Sequence, residues 1–240
     1  MTKNDGFGTG CNRGASACAS ETIFFVNPDA RVTPGVTDRL ISAMDADTSL
    51  GIVGAATTDP AGEVSAVSAG AEPSLRSALG YFLFLGRIPL VRRLFAPMYL
   101  APGAGSQLVD WVGGAALMVR RSVFEAIGGF DEAMFLYMED VDLCRRSRLS
   151  GSRVRFLAEA TVEHKMGGSQ GPDAVDRWYE AFHAYTSARG RWSGRAIDLI
   201  ATLGLSFRLV AYVITRRQGQ ARRMMRATMA AAVHALGRHP

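Results

Sequence analysis

Phe130-Asp131-Glu132-Ala133-Met134-Phe135-Leu136-Tyr137-Met138-Glu139-Asp140-Val141-Asp142-Leu143-Cys144-Arg145-Arg146 places five carboxylates within the twelve positions 131–142, among large apolar side chains. A merely solvated surface has no use for Phe, Leu, Tyr and Met between so many acids. The pattern predicts a turn that lowers acidic side chains into a pocket and leads straight into a helix, Val141–Ser150, which Gly151 ends. Gly128-Gly129 precedes the stretch. Before that, Ser122 reads as the cap of a short helix running to Ile127, with Glu125 at the capping-box position.

Upstream, Val109–Val119 reads as a strand broken by Gly113 and Gly114. Glycine inside a strand marks close approach of a ligand or of another backbone. Further back, Glu21–Val26 is rich in β-branched and aromatic residues and is stopped by Asn27-Pro28-Asp29, which predicts a buried strand. Thr33-Pro34-Gly35 opens a helix to about Ala46 with Val36, Leu40, Ile41 and Met44 at helical spacing, and Gly51–Ala55 is a second buried strand. Glu63–Ala69 suggests a small edge strand. Asn4–Gly10 reads as a glycine-rich turn, followed by a short helix over Cys11–Ser20. Downstream, Arg153–Leu157 and Thr161–Glu163 read as two short strands. His164 to Ser169 reads as a loop, and Asp173–Arg189 as a helix. Alternation of strands and helices over residues 21–127 predicts an α/β fold, a mixed sheet flanked by helices.

The 240 residues hold 48% hydrophobic and 20% charged side chains, values of a folded globular chain. Cys11, Cys18 and Cys144 are scattered and form no CxxC pair. Neither a zinc site nor a disulfide framework is expected, and a reducing cytoplasm fits. The net charge of +5 hides an asymmetry: residues 189–240 carry ten arginines and one acid, Asp198, for a net of +9, and the rest sums to −4. Such a tail expects an anionic partner. Residues 197–214 are apolar but hold Asp198 and Arg208, which argues against a membrane span. Arginines from Arg216 to Arg226 with Met224, Met225 and Met229 then suggest an interfacial amphipathic helix on anionic lipid, or else a packed helix pair with a solvated basic face. These arginines alternate with Met, Ala and Leu rather than with stacking aromatics, so no nucleic acid is expected. The division expected is 1–190 for the α/β domain and 191–240 for the basic amphipathic helical tail.

Two further groups carry chemistry. Asp29 sits at a strand's carboxyl end, where open α/β sheets gather ligands, and a carboxylate there suits Mg²⁺ or Mn²⁺; it is equally a turn residue after proline. His164 ends a strand and reads as a metal ligand or phosphate donor, or as neither. Glu139-Asp140 reads as a general base at a pocket rim, or as a helix cap, two roles that are compatible.

Taken in order, Gly6-Phe7-Gly8-x-Gly10-Cys11-Asn12-x-Gly14, Asn27-Pro28-Asp29, Trp111-Val112-Gly113-Gly114, the Gly-Gly-Phe-Asp-Glu to Glu-Asp-Val-Asp-Leu run and His164 resemble the family 2 glycosyltransferases, in particular their bacterial rhamnosyltransferase-like branch. The resemblance covers residues 4–170. It implies a partial GT-A fold lacking the N-terminal nucleotide-binding segment. It implies inverting transfer of a sugar, rhamnose in this branch, from a nucleotide-diphosphate donor to a glycan or polyprenyl-linked acceptor. Asp140 would be the base with Glu139 beside it, and Asp29 and His164 would hold Mg²⁺ or Mn²⁺. Asn27 stands where relatives carry an acid. Asn12, Asn27, Trp111, Gly113 and Gly114 would shape the substrate pocket, and the tail would sit peripherally on the cytoplasmic face of the cell membrane. With that segment lacking, this polypeptide alone is expected to bind donor poorly. The alternative is a non-catalytic membrane-associated remnant, or one half of a split enzyme. A dinucleotide-binding oxidoreductase fits worse, because the glycines follow GxGxG and no strand precedes them.

Overall fold

The computed structural model describes residues 4–59, 61–64, 68–88, 90–165, 174–215 and 218–237. In chain order its elements are α1 (Phe7–Ser16), β1 (Thr22–Val26), β2 (Ala30–Val32), α2 (Val36–Ala46), β3 (Leu50–Thr58), β4 (Ala69–Gly70), α3 (Leu75–Phe82), β5 (Gln107–Val109), β6 (Trp111–Val112), β7 (Ala116–Arg120), α4 (Arg121–Ala126), α5 (Glu139–Leu149), β8 (Arg153–His164), α6 (Ala174–Ser187), α7 (Arg191–Ile214) and α8 (Gln218–Ala235). They group into two compact units, residues 1–72 with 99–169, and residues 73–98 with 170–240.

In the first unit, a sheet runs in the order β1-β7-β3-β8-β2, and β5 pairs with β8 as well. β3 and β8 are parallel; β7 runs antiparallel to both β1 and β3. Helix α2 presents Val36, Leu40 and Met44, one turn apart on one stripe, and buries them on Leu50 and Val53 of β3, Met118 of β7 and Val162 of β8. Each such side chain contributes about 1.5–3 kcal/mol of apolar transfer. Helix α5 buries Leu143 and Cys144, and the Cys144 thiol faces the Val112 carbonyl of β6. At Gly54 of β3 a Cβ would stand 2.4 Å from the Val112 side chain, so β6 lies directly over β3.

Several local expectations change. The glycine-rich start is helical from Phe7, and only Gly6, at φ 96°, makes the turn. The broken strand resolves into β5, β6 and β7, with β6 pairing with β4 rather than extending β7. The two short strands of residues 153–163 are one strand, β8. Its register to β3 shifts between Leu157 and Thr161, where Ala158 donates its N–H to Ser106 Oγ at 2.8 Å. Ser122 does not cap α4: Arg120 holds that position with no side-chain cap. Of the edge strand expected over 63–69, Val64 bridges Thr58 and β4 begins at Ala69, while 65–67 lie outside the described residues, as do 166–169 of the loop.

The second unit is helical. Helix α3 starts at a capping box between Ser74 and Ser77. Buried Tyr179, Phe182 and Tyr185 of α6 form the centre, with the Phe82 ring edge-on to Phe182.

Candidate active site

The acidic stretch separates by what each carboxylate touches. Asp131 accepts the Ala133 N–H at 3.0 Å and shapes the turn; Glu132 accepts from the Asn12 amide at 2.9 Å. Asp142 pairs with Arg146 at 2.6 Å, one helical turn on, and the Arg146 guanidinium also donates to the carbonyls of Ile127 and Gly129 at 2.7 and 2.6 Å. These three acids hold the loop together. Glu139 and Asp140 are left for chemistry.

They enter α5 through a strained backbone. Tyr137 and Met138 both have positive φ, 72° and 67°, and Met138 is the N-cap with no side-chain bond to the helix. Two consecutive non-glycine residues in the left-handed region cost about 1–3 kcal/mol each and persist only where surroundings impose them. Here the surroundings include α1. Phe7 donates its N–H to the Phe135 carbonyl at 3.0 Å. The Asn12 amide exchanges two bonds with the Phe130 backbone, at 2.9 and 3.0 Å. Gly129, at φ 70°, has no room for a Cβ, which would stand 2.6 Å from Asn12 Oδ1.

Asp140 is half-buried. Its Oδ2 accepts the Gly114 N–H at 2.9 Å and its Oδ1 the Val141 N–H at 2.8 Å. Burial raises its pKa, and the two N–H groups pull it back toward the ionised form. Glu139 is buried at 6% exposure, and its Oε2 has no hydrogen-bond partner among the described residues. Burial first, and then the Asp140 charge, hold the Glu139 carboxyl well above the usual carboxylate range. Two adjoining buried carboxyls, both raised, favour one negative charge over two on the pair. The Cys11 thiol, pushed up to about 12 by burial and by Glu139, is no nucleophile.

Asn27, Asp29 and His164 form the second cluster. The turn after β1 is closed by Ala30 N–H on the Asn27 carbonyl at 3.0 Å, and β2 then pairs Ala30 with His164 at the end of β8. His164 Nε2 lies 3.1 Å from Asp29 Oδ1 and 3.3 Å from Asn27 Nδ2. One ring nitrogen cannot both accept from the amide and donate to the carboxylate. Asn27 Oδ1 is buried with no partner among the described residues. An imidazole lone pair, a carboxylate and an unspent amide oxygen make a donor set suited to Mn²⁺ or Mg²⁺, whose other positions go to water and phosphate oxygens. No group of three or more His, Cys, Asp or Glu is found among the described residues, so the protein's share of such a site is partial.

One turn joins the clusters. Ala115 accepts the Asn27 N–H at 3.1 Å, while its neighbour Gly114 donates to Asp140. A Cβ on Gly114 would meet the Phe7 ring at 3.2 Å and Asp140 Cβ at 3.6 Å, the close approach that a glycine in this strand foretells. Trp111 is placed otherwise: it is buried, with its indole N–H on the Ala71 carbonyl at 3.0 Å and its ring edge-on to Tyr99. Gly113 donates its N–H to the Ser68 carbonyl at 2.9 Å. The amide of Asn12 is likewise engaged with the loop. Sequence reasoning passed over Arg146, whose i,i+4 spacing from Asp142 is its only advance sign.

Residues 2–195 match the family described as "Glycosyltransferase like family 2". The N-acetylglucosaminyl-diphospho-decaprenol L-rhamnosyltransferase of Mycobacterium tuberculosis is 34% identical over 184 residues, which cover 71% of this chain and 59% of the relative. Rhamnosyltransferase WbbL of Escherichia coli K12 is 44% identical over 50 residues, 21% of this chain and 19% of the relative. The chain thus spans about three fifths or less of the length of these curated relatives. Among solved structures, a mannosyltransferase of Pyrobaculum calidifontis, in complex with GDP-Man and Mn²⁺, matches with a TM-score of 0.55 at 13% identity. The match covers 98% of this chain and 68% of that one, a likeness of fold.

Proposed function

The chain belongs to glycosyltransferase family 2 with a GT-A-like α/β fold, and on that premise we propose that it transfers a sugar, with inversion, from a nucleotide-diphosphate donor, Asp140 acting as the base. The observation that carries this is the pair of N–H groups on Asp140, from Gly114 and Val141. They hold both oxygens in place, favour the ionised form against the effect of burial and leave further lone pairs for an acceptor hydroxyl.

In the step proposed, the acceptor O–H gives its proton to Asp140 as its oxygen bonds to the anomeric carbon. The bond from that carbon to the donor's diphosphate oxygen breaks, and the electron pair leaves with the nucleoside diphosphate. A single in-line displacement inverts the centre. Burial makes Asp140 a stronger base than a solvated carboxylate, and the raised pKa of Glu139 beside it disfavours a second negative charge. Asp29 and His164, with Asn27 Oδ1, would hold Mg²⁺ or Mn²⁺. When bound, such an ion neutralises charge on the diphosphate leaving group. We assign Asn12 to loop support, and Trp111 and Gly113 to the wall behind the site.

The mycobacterial relative is named for a decaprenol-linked N-acetylglucosaminyl acceptor and a rhamnosyl product. Rhamnose as the sugar, a polyprenyl-linked acceptor and a peripheral position on the cytoplasmic membrane face follow as proposals, supported by the basic charge of residues 189–240. The test is transfer from labelled nucleotide-sugars to a polyprenyl-diphosphate glycan, with Mn²⁺ or Mg²⁺. Sugar incorporation supports the assignment; donor binding without incorporation from any nucleotide-sugar favours the non-catalytic alternative.

A further inference from the structure

Helix α7 includes Ser193–Ile214, long and apolar enough by length and composition to cross a membrane, yet it carries Asp198 and Arg208. Both charges are spent inside the second unit. Asp198 is fully buried: Oδ1 accepts from Tyr179 Oη at 3.0 Å, and Oδ2 lies 2.7 Å from His183 Nδ1. The Arg208 guanidinium lies over the Tyr81 and Phe84 rings, 4.7 and 4.6 Å from their centroids, and donates to the Tyr81 carbonyl at 2.7 Å. The same side of α7 buries Ile197, Ala201 and Leu205. At Gly204 a Cβ would fall 2.2 Å from the Phe82 carbonyl oxygen, so α7 and α3 meet backbone to backbone.

The opposite side is charge-free. Leu199, Leu203, Phe207, Val210, Val213 and Ile214 are each 49 to 74% exposed. At 100° per residue they fall within a stripe about 120° wide and about 22 Å long. Asp198 and Arg208 fall outside it. An exposed apolar stripe of this size asks for a cover. The sequence around it is basic: residues 189–240 hold ten arginines and one acid.

We infer that this stripe lies in the plane of an anionic bilayer, its apolar side chains among the acyl chains, the net charge of +9 over residues 189–240 favouring anionic lipid. The packed side forbids a crossing. A spanning α7 would have to strip Asp198 from Tyr179 and His183, and Arg208 from its rings, and carry both charges into lipid. Docked as part of the folded unit, the helix keeps them satisfied and buries only apolar surface. The inference deepens the membrane-side placement proposed above and makes α7, rather than the arginine-lined α8, the inserted element.

Flotation of the full chain with vesicles tests it, and needs no donor or turnover, so a failed transfer assay leaves it standing. The full chain is expected to float with phosphatidylglycerol–phosphatidylethanolamine vesicles and to stay behind with phosphatidylcholine alone. Phe207→Asp and Val210→Asp, both exposed and so compatible with folding, should each lower the bound fraction at least tenfold with unchanged circular dichroism. Phe207→Trp, read as the difference from the chain's own three tryptophans, should be quenched most by lipids brominated near the headgroup. Flotation of Phe207→Asp equal to that of the wild type overturns the inference. So does Phe207→Asp turning a vesicle-free dimer into a monomer, which makes a second copy the cover. Strongest quenching by chain-end bromines also overturns it, because α7 then crosses.

Discussion

The Gly114 N–H donates to Asp140 Oδ2 at 2.9 Å, and the next residue, Ala115, accepts the N–H of Asn27 at 3.1 Å. Adjacent residues of one tight turn thus bond to Asp140 on one side and to the Asn27–Asp29–His164 cluster on the other. Gly114→Ala puts a methyl 3.2 Å from the Phe7 ring and 3.6 Å from Asp140 Cβ. Small misplacements of a catalytic group cost up to about a hundredfold in rate. Steady-state kinetics should show kcat lowered about 10- to 100-fold, with the donor KM within about twofold. Equal loss through KM alone would detach this turn from the chemistry.

Asn12→Ala removes three hydrogen bonds that tie α1 to the acidic loop. Buried backbone groups left unpaired at Phe130 should lower stability by about 1–3 kcal/mol. Amide exchange of residues 130–138 should quicken while that of α2 stays as it was. Chemical denaturation and exchange mass spectrometry report both.

Glu139 holds its proton above the range of a free carboxyl, because burial and then Asp140 raise it. The folded state therefore binds this proton more tightly than the unfolded chain. The resulting stabilisation is complete below the ordinary carboxylate value and is lost as pH rises through the raised one. Glu139→Gln, neutral at every pH, should flatten that alkaline decline in denaturation midpoints measured across pH. An unchanged slope would remove Glu139 as its source. Asp140, raised by burial as well, must be ionised to accept a proton, so transfer should fall as pH is lowered through its value.

Asp29→Ala and His164→Ala each remove one side of a 3.1 Å pair. Titration of nucleotide-sugar with and without Mn²⁺ should show the metal-dependent part of donor affinity lost in both, and the metal-independent part kept. Metal dependence equal to the wild type would separate this cluster from the donor.

The sheet's framework was legible because α2 and β1 carry local signals: Val36, Leu40 and Met44 at helical spacing, and a β-branched and aromatic run stopped by Asn27-Pro28-Asp29. Asp140 at the mouth of a helix could be read from the acids packed before an apolar run. What the sequence concealed were long-range relationships. Nothing near Asn12 announces its bond to Phe130, 118 residues away. Nothing near Trp111 announces that its indole N–H is spent on the Ala71 carbonyl, 40 residues away. Asp198 and Arg208 counted against a membrane helix by composition, and only packing shows that both point inward. The short break at residues 158–160 split β8 in the sequence because a register shift has no periodic signature.

Asp140→Asn tests the central claim most directly, since it keeps the shape of the side chain and removes its basicity. Single-turnover transfer should fall by about 10²–10⁴-fold, the range of a lost general base, while donor affinity by calorimetry stays within about twofold. Turnover within tenfold of the wild type, at equal donor occupancy, would contradict the account.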